Sequence, residues 1–238
     1  MNMTTATHGY ALKKTWDAYD VYLFDIDGTL LNCTDAVHYF AFCAALESLS
    51  GRALNLDGVT THGNTDAGIL RDALKLAKVS EEQWRPRMGE AQAAMCRFVE
   101  ERRGDLCIAV LPGVTAILDH LRARGAALGV ATGNIAGIGQ VKLAHGALLD
   151  YFDFGGYSDG YEFRHEVFKG ALEKARALAG AEASVCVIGD TPEDIRAART
   201  NGLDVIAVAT GTFSFEELEA ERPDWCLRSL EELIAKKA

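Results

Sequence analysis

The chain has 238 residues, of which 49% are apolar and 24% charged, and its formal net charge is −10. Length and composition are those of a globular protein with one large domain or a domain plus an insertion. The acidic excess argues against a nucleic acid or an anionic membrane as partner, because both bind basic surfaces. An anionic ligand would therefore need a local cation, either a metal ion or a placed Arg or Lys.

The sequence gives no sign of membrane insertion or export. No run approaches the roughly 18 apolar residues of a membrane span, and the first twenty residues lack the continuous apolar stretch of a signal peptide. The six cysteines are scattered without a CxxC pair, and most are expected to be reduced thiols in the core. We expect a cytoplasmic protein that is a monomer or a homodimer.

The first 19 residues are predicted to form a polar arm with Trp16 and Tyr19 at its end. Residues 21–31, VYLFDIDGTLL, then begin as a short apolar strand. The strand delivers two carboxylates, Asp25 and Asp27, immediately before Gly28 and Thr29 break it. Because an unpaired buried carboxylate is costly, this ending indicates a cation nearby.

Residues 35–108 show helical periodicity throughout and no strand pattern. Helices are predicted over 35–49, 67–79 and 80–103, with a polar loop, THGNTD, at 61–66. Ser80 and Gln83 have the spacing of a capping box, and Pro86 predicts a kink or a later start for the third helix. The block is therefore predicted to be an all-helical insertion.

Beyond residue 108, strands and helices alternate. Apolar strands are predicted at 126–132, 151–154, 185–190 and 203–210, with helices between them and an amphipathic helix at the end. This order is typical of an α/β fold, a three-layer Rossmann-like parallel sheet covered by helices on both faces. Residues 1–34 and 109–238 would form this core, and residues 35–108 the inserted helical domain.

Three of the predicted strands end in polar side chains. The first strand is followed by Asp25 and Asp27, the strand at 126–132 ends at Thr132, and the strand at 185–190 ends at Asp190. Ligands of open α/β sheets bind outside the carboxyl ends of the strands, so these groups should converge, and Asp194 lies one helical turn further on. Carboxylates without a His or Cys cluster favour Mg²⁺ over zinc. The hydroxyl of Thr132 and the helix N-terminus after it predict an anion site, and the whole set indicates phosphoryl transfer with an Asp nucleophile.

The segments DIDGTL (25–30), ATGN (131–134) and GDTPED (189–194) resemble motifs one, two and four of the haloacid dehalogenase-like hydrolase superfamily, in the right order. The resemblance covers the chain after its N-terminal arm. It implies that Asp25 is the nucleophile and that Asp27 is the general acid and base. It further implies that Mg²⁺ is held by the Asp25 and Asp190 carboxylates and the Asp27 carbonyl, with Asp194 bonding a metal-bound water.

Motif two is expected to bind the substrate's phosphoryl group. The resemblance assigns Thr132 to the transferring phosphoryl oxygens, and Gly133 and Asn134 complete this substrate-binding turn. Family members that cleave carbon–halogen bonds lack the second acid of motif one, so Asp27 favours a phosphatase.

Motif three departs from the family pattern. The usual Lys in a KPxP-like stretch is absent, and the region reads YEFRHEVFK (161–169). Arg164 falls at the expected position and can neutralise phosphoryl charge, although Arg and Lys are not equivalent. Lys169 is the other candidate.

The helical insertion lies where this family carries its cap, and the 61–66 loop resembles the GKTD-like loop of phosphoglycolate phosphatase relatives. We expect His62 and Asn64 in this loop to contact substrate, and closure of the cap to exclude water.

The sequence thus predicts a Mg²⁺-dependent phosphatase that hydrolyses a small phosphorylated metabolite, phosphoglycolate-like or a sugar phosphate, through an aspartyl-phosphate. One alternative is a phosphosugar mutase of the same family, although the loop has no basic residue beyond His62. Another is a non-catalytic metabolite-binding protein on this fold. A dinucleotide-binding enzyme is disfavoured, because no GxGxxG turn follows the first strand.

Overall fold

The computed structural model describes residues 11–235, so the first ten residues of the predicted polar arm lie outside it. The strands in chain order are β1 (Val21–Phe24), β2 (Leu31–Cys33), β3 (Ile108–Val110), β4 (Ala127–Ala131), β5 (Phe154–Gly156), β6 (Val185–Gly189), β7 (Asp204–Val208) and β8 (Trp225–Leu227). Six of them form one parallel sheet in the order β5-β4-β1-β6-β7-β8. The predicted α/β class is confirmed, and β1 lies inside the sheet between β4 and β6.

The helices in chain order are α1 (Val37–Ser50), α2 (Asp66–Leu76), α3 (Glu81–Trp84), α4 (Met88–Glu101), α5 (Val114–Ala123), α6 (Ala136–His145), α7 (Arg164–Ala179), α8 (Pro192–Thr200), α9 (Phe215–Ala220) and α10 (Glu231–Ala235).

Both faces of the sheet are buried, as a parallel sheet requires. Side chains alternate along β1: Tyr22 and Phe24 pack in the cluster that includes α5, whereas Val21 and Leu23 pack in the cluster that includes α7 and α8. This three-layer arrangement explains why β1, β4 and β6 are apolar along nearly their whole length.

The helices α1 to α4 lie between β1 and β4 in sequence. They pack in a third cluster around the fully buried Trp84, which also includes Ile135 and Ile138 near the start of α6. Gly51 ends α1 in the left-handed conformation, with φ +75°. Pro86 sits in a 3₁₀ turn at Arg85–Arg87, which divides the third predicted helix into α3 and α4. The predicted capping box at Ser80 is wrong, because its side chain makes no capping hydrogen bond.

Two short strands, β2 and β3, were not predicted from the sequence. Strands β2 and β3 pair antiparallel, with Leu31 opposite Val110, at the two connections between the helical insertion and the rest of the chain. Strand β3 begins at Ile108, inside the block predicted to contain no strand. A three-residue strand is too short to show the alternation that identifies longer strands.

One other predicted strand lies at different residues in the structure, and one strand and one helix were not predicted. The predicted strand at 151–154 lies later, at β5, because Leu149–Tyr151 forms a 3₁₀ turn. Neither β8 nor α9 was predicted as a strand or helix. Tyr19, expected to dock, is buried and donates a 2.5 Å hydrogen bond to Asp204 Oδ2.

The cysteine prediction was largely wrong about burial. All six are free thiols, but Cys186 alone of the six is buried, Cys107 is exposed, and the other four are half-buried. Within residues 11–235, no helix has the length and apolar character needed to cross a membrane.

Candidate active site

Three buried carboxylates form an acidic cluster at the carboxyl edge of the sheet. Asp25 follows β1, Asp190 follows β6, and Asp194 lies in the first turn of α8; one oxygen of each lies within 4.8 Å of the others. Their exposures are 5%, 3% and 0%. The convergence expected from the strand order is therefore present for these three residues.

Two glycines make room for Asp190. A Cβ on Gly28 or on Gly211 would overlap the Asp190 carboxylate, and Gly28 also has φ +83°, where a side chain is strained. Thr29 Oγ1 donates to Asp190 Oδ1 at 2.9 Å. The turn after β1 thus needs both its glycine and its threonine to hold this carboxylate, whereas nothing in the sequence identified Gly211.

Arg164, the first residue of α7, lies in the acidic cluster. Its Nη2 is 2.8 Å from Asp25 Oδ1 and 2.6 Å from Asp194 Oδ1, and its Nε donates to the same Asp194 oxygen at 3.0 Å. Burial alone would lower the pKa of Arg164, but the Asp194 and Asp25 carboxylates raise it above its usual value. Lys169, the other candidate, is exposed and does not line the cavity described below.

The cluster holds more negative charge than Arg164 neutralises. Burial raises the pKa values of Asp25 and Asp190, and the mutual repulsion of the carboxylates raises them further. Although Arg164 is close, its geometry with Asp25 Oδ1 is not that of a hydrogen bond, and this buried oxygen has no such partner in the described part of the chain. An all-oxygen donor set of three carboxylates, which one guanidinium does not neutralise, fits a divalent cation such as Mg²⁺.

Asp27 faces away from this cluster and pairs with Lys142, a residue that the sequence analysis missed. Lys142 Nζ is 2.9 Å from Asp27 Oδ1 and 2.7 Å from Oδ2. Burial alone would raise the pKa of Asp27, but Lys142, with help from Asn134, lowers it to about 2. The Asp27 side chain is 38% exposed to the cavity, whereas that of Lys142 is 4% exposed.

A signal for Lys142 was present in the sequence. It belongs to the buried face of α6 together with Ile138, Gly139 and Leu143. A Lys within an apolar helical stripe is rarely buried without an acidic partner. The sequence does not say which of the many carboxylates that partner is.

The ATGN turn lies between these two groups. Asn134 Nδ2 donates to Asp27 Oδ2 and to Thr132 Oγ1, both at 2.8 Å, and Asn134 Oδ1 accepts from Lys142 at 2.9 Å. A Cβ on Gly133 would overlap the Asn64 carbonyl and approach Arg164. The three predicted residues, Thr132, Gly133 and Asn134, therefore line the same cavity as Asp25.

The part of the predicted anion site formed by the N-terminus of α6 is wrong, whereas Thr132 and the ATGN turn line the cavity. The Ile135 N–H donates to Asp66 Oδ2 at 2.8 Å, and the Ala136 N–H donates to Asp159 Oδ2 at 2.7 Å. Two carboxylates of the protein itself occupy these N–H groups, so they are not free for a phosphate.

Residues of the helical insertion and of the sheet edge line an open cavity of about 240 Å³ at the site. The Asp66 N–H donates to the Gly133 carbonyl at 2.8 Å, which joins α2 to the ATGN turn. His62 lines the cavity and is exposed, with Nδ1 3.2 Å from Thr212 Oγ1. Asn64 also lines it, but its amide binds Thr60, Asp72 and Thr65 within the insertion.

His38 and Phe42 of the insertion line the cavity, although neither was predicted to do so. His38 Nδ1 lies 3.3 Å from Lys142 Nζ, and His38 Nε2 lies 3.4 Å from Asp66 Oδ1. His38 also stacks on Phe42, with ring centroids 4.7 Å apart. The contacts Asp27–Lys142–His38–Asp66 thus run from the core of the site into the insertion.

Comparison with known proteins agrees with this geometry. The model of the haloacid dehalogenase-like hydrolase family matches residues 22–208. A phosphoglycolate phosphatase of Synechococcus elongatus is 27% identical over 219 residues, covering 89% of this chain and 94% of the relative. A phosphoglycolate phosphatase of Cereibacter sphaeroides is 29% identical over 181 residues, covering 76% and 81%.

Among solved structures, CbbY from Rhodobacter sphaeroides in complex with phosphate is similar, with a TM-score of 0.62 and 20% sequence identity. The match covers 90% of this chain and 96% of that chain. At this level of identity the likeness concerns the fold.

Proposed function

The chain belongs to the haloacid dehalogenase-like hydrolase family, and we propose that it is a Mg²⁺-dependent phosphatase acting on a small phosphorylated metabolite. The proposal rests on two groups of charged side chains that line one cavity. One group is the acidic cluster with Arg164, and the other is the Asp27–Lys142 pair. The first suits phosphoryl transfer, and the second suits proton transfer at the leaving group.

Asp25 is the proposed nucleophile. Its carboxylate oxygen attacks phosphorus, the bond to the leaving-group oxygen breaks, and an aspartyl-phosphate forms. Water then attacks the same phosphorus, and breakage of the bond to Asp25 releases inorganic phosphate. Arg164 contacts Asp25 directly, so its guanidinium is positioned to stabilise charge on the equatorial phosphoryl oxygens.

Asp27 is the proposed general acid and base. It gives a proton to the departing alkoxide and later takes one from the attacking water. Lys142 holds it as a carboxylate in the ligand-free site. The negative charge of an arriving phosphoryl group raises the pKa of a neighbouring carboxyl, which makes the protonated form accessible when it is needed.

Asp25 and Asp190, with the Asp27 carbonyl and Asp194, would hold Mg²⁺. A bound Mg²⁺ neutralises phosphoryl charge and helps align the phosphorus with the nucleophile. The excess of carboxylates over cations in the acidic cluster and the raised pKa values of Asp25 and Asp190 support this assignment.

We propose that residues 35–108 act as a cap on the core formed by residues 1–34 and 109–238. Glu162, two residues before Arg164, accepts from Arg71 at 3.2 Å and from Arg85 at 2.7 Å. These pairs link α2 and the turn after α3 to the segment that carries Arg164. A closed cap would exclude water from the aspartyl-phosphate until the alcohol has left.

The proposal is tested by a screen of phosphomonoesters, which includes phosphoglycolate, sugar phosphates and nucleotides, with Mg²⁺ and with EDTA. We expect release of inorganic phosphate in Mg²⁺ and a loss of at least roughly 100-fold in EDTA, because the remaining cluster repels a phosphate dianion. Adding Mg²⁺ back should restore the rate. Isomerisation of a hexose phosphate without phosphate release would instead identify a mutase, and tight binding without turnover would identify a binding protein.

The two candidates for motif three can be separated by matched substitutions. Arg164→Met should lower kcat by about 100-fold, the scale of losing one preorganised charge-stabilising donor. Lys169→Met, on the exposed side of the same helix, should leave kcat unchanged. Phosphate-release assays on both variants check this, and equal losses would contradict the assignment of Arg164.

A further inference from the structure

The cavity has a distinct end beyond the phosphoryl site, which we call the leaving-group end. It is lined by residues of the insertion and by two residues of the core: His38, Phe42, Asp66, Ile69, Cys33 and Lys142. Asp27, the proposed acid for the leaving group, pairs with Lys142 at this end, so we assign the group released after phosphoryl transfer to it. Its chemistry decides which phosphate esters are accepted, and the inference below rests on the proposed phosphatase function.

The one ammonium group at this end, among the described residues, has no free donor. Lys142 Nζ contacts both oxygens of Asp27, Asn134 Oδ1 and His38 Nδ1, at 2.7–3.3 Å. An ammonium has three N–H groups, so these acceptors use all of them. Lys142 therefore cannot pair with an anion on the substrate without releasing Asp27.

Other basic side chains of the insertion point elsewhere. Arg71 pairs with Asp72 and Glu162, and Arg85 pairs with Glu81 and Glu162. Neither arginine lines the cavity. Apart from its histidines, the described residues that line the cavity include two cationic side chains, Lys142 and Arg164, and both are held by carboxylates.

Negative charge remains at the leaving-group end. Asp66 is 3% exposed, and one of its oxygens accepts from the Ile135 N–H while the other faces His38. Apart from His38, whose ring lies between Lys142 and Asp66, Asp27 and Asp66 provide two carboxylates against one ammonium. A carboxylate on the leaving group would be placed next to these two carboxylates without a cationic partner, which is unfavourable because like charges repel.

We propose that this end of the site selects phosphate monoesters of small, uncharged alcohols or polyols and rejects esters whose leaving group carries a carboxylate. Carboxylate oxygens repel an anion but accept hydrogen bonds from hydroxyl groups, so the partly exposed Asp27 carboxylate favours such leaving groups. The buried Asp66 contributes negative charge. The cavity of about 240 Å³ lies below the usual range for ligand sites, which favours a small leaving group.

The test compares two substrates of nearly equal size, 2-hydroxyethyl phosphate and phosphoglycolate, which differ in having a hydroxymethyl or a carboxylate group. The ratio of their kcat/KM values with the wild-type protein and Mg²⁺ is expected to be at least roughly tenfold in favour of the uncharged ester. Glycerol 3-phosphate and 3-phosphoglycerate form a second pair and should show the same preference. An equal or inverted ratio in the first pair overturns the inference and leaves the phosphatase function standing.

A charge-removing variant tests the cause. Asp66→Asn keeps an oxygen that can accept from the Ile135 N–H but loses the negative charge. We expect the ratio to narrow by roughly threefold or more, mainly through a higher kcat/KM for phosphoglycolate. Equal effects on both substrates would overturn the electrostatic explanation. If Asp66→Asn fails to fold, the wild-type ratios still decide the inference, and failure to hydrolyse any ester would instead remove the proposed function.

Discussion

Replacement of Asp25 by Asn is expected to abolish phosphate release while leaving the fold intact. An amide oxygen is a poor nucleophile, so kcat should fall by roughly 10⁴-fold or more, the scale on which enzymes lose activity when a covalent nucleophile is removed. The wild-type enzyme, quenched in acid during turnover and reduced with borohydride, should carry homoserine at residue 25. The variant should not.

Although Asp25→Asn should lose activity, we expect it to gain stability. Burial raises the pKa of Asp25, so its ionised form disfavours the folded state at pH 7–8, and this cost disappears once the pH falls below the pKa of the unfolded chain. In EDTA at pH 7–8, Asp25→Asn should therefore melt at least about 2 °C higher than the wild type, the shift that about 1 kcal/mol produces in a protein of this size.

The effect of Mg²⁺ on the melting temperature serves as a control, because it reports on the metal site independently of activity. Adding Mg²⁺ should raise the melting temperature of the wild type more than that of Asp25→Asn, because the variant has lost a ligand. Full activity in Asp25→Asn would eliminate the aspartyl-phosphate mechanism. Loss of activity accompanied by a lower melting temperature in EDTA would show that Asp25 has a structural role instead.

Replacement of Lys142 by Met is expected to lower kcat by roughly 10³-fold, within the range that a general acid and base contributes. Lys142 does not contact the reacting phosphorus in this mechanism; it positions Asp27 through two contacts of 2.7 and 2.9 Å. Without it, the pKa of Asp27 should rise from about 2, since burial is then no longer opposed by the ammonium. The limb of the pH–rate profile that reports Asp27 should move to higher pH.

Stability gives a second readout for this pair. Breaking a fully buried ion pair costs about 3–5 kcal/mol, but the 38% exposure of the Asp27 side chain lets water solvate it, so we expect a smaller loss. The double variant Asp27→Asn with Lys142→Met should recover part of that stability and none of the activity. Lys75→Met, on the exposed face of α2, is the matched control and should change neither quantity.

An unshifted pH profile in Lys142→Met would show that Lys142 does not tune Asp27. Loss of stability alone, with kcat unchanged, would assign Lys142 a purely structural role.

Much of this protein follows from local sequence. The apolar strands at β1, β4 and β6, each followed by a polar residue, predict both the parallel sheet and the edge at which Asp25, Thr132 and Asp190 meet. The edge can be predicted because the carboxyl ends of parallel strands lie at the same edge of a sheet, independently of how the side chains pack. Arg164 was a candidate through the resemblance to motif three, with Lys169 as the alternative, and the structure brings Arg164 into the acidic cluster.

What the sequence could not determine depends on contacts between distant segments. Lys142 is 115 residues from Asp27, and no local pattern identifies which carboxylate a buried lysine pairs with. The N-terminus of α6 looked free for a phosphate until folding brought Asp66 of the insertion onto it, 69 residues away. The charge balance at the leaving-group end depends on these pairings, so the tertiary structure alone decides which cations are free to meet a substrate.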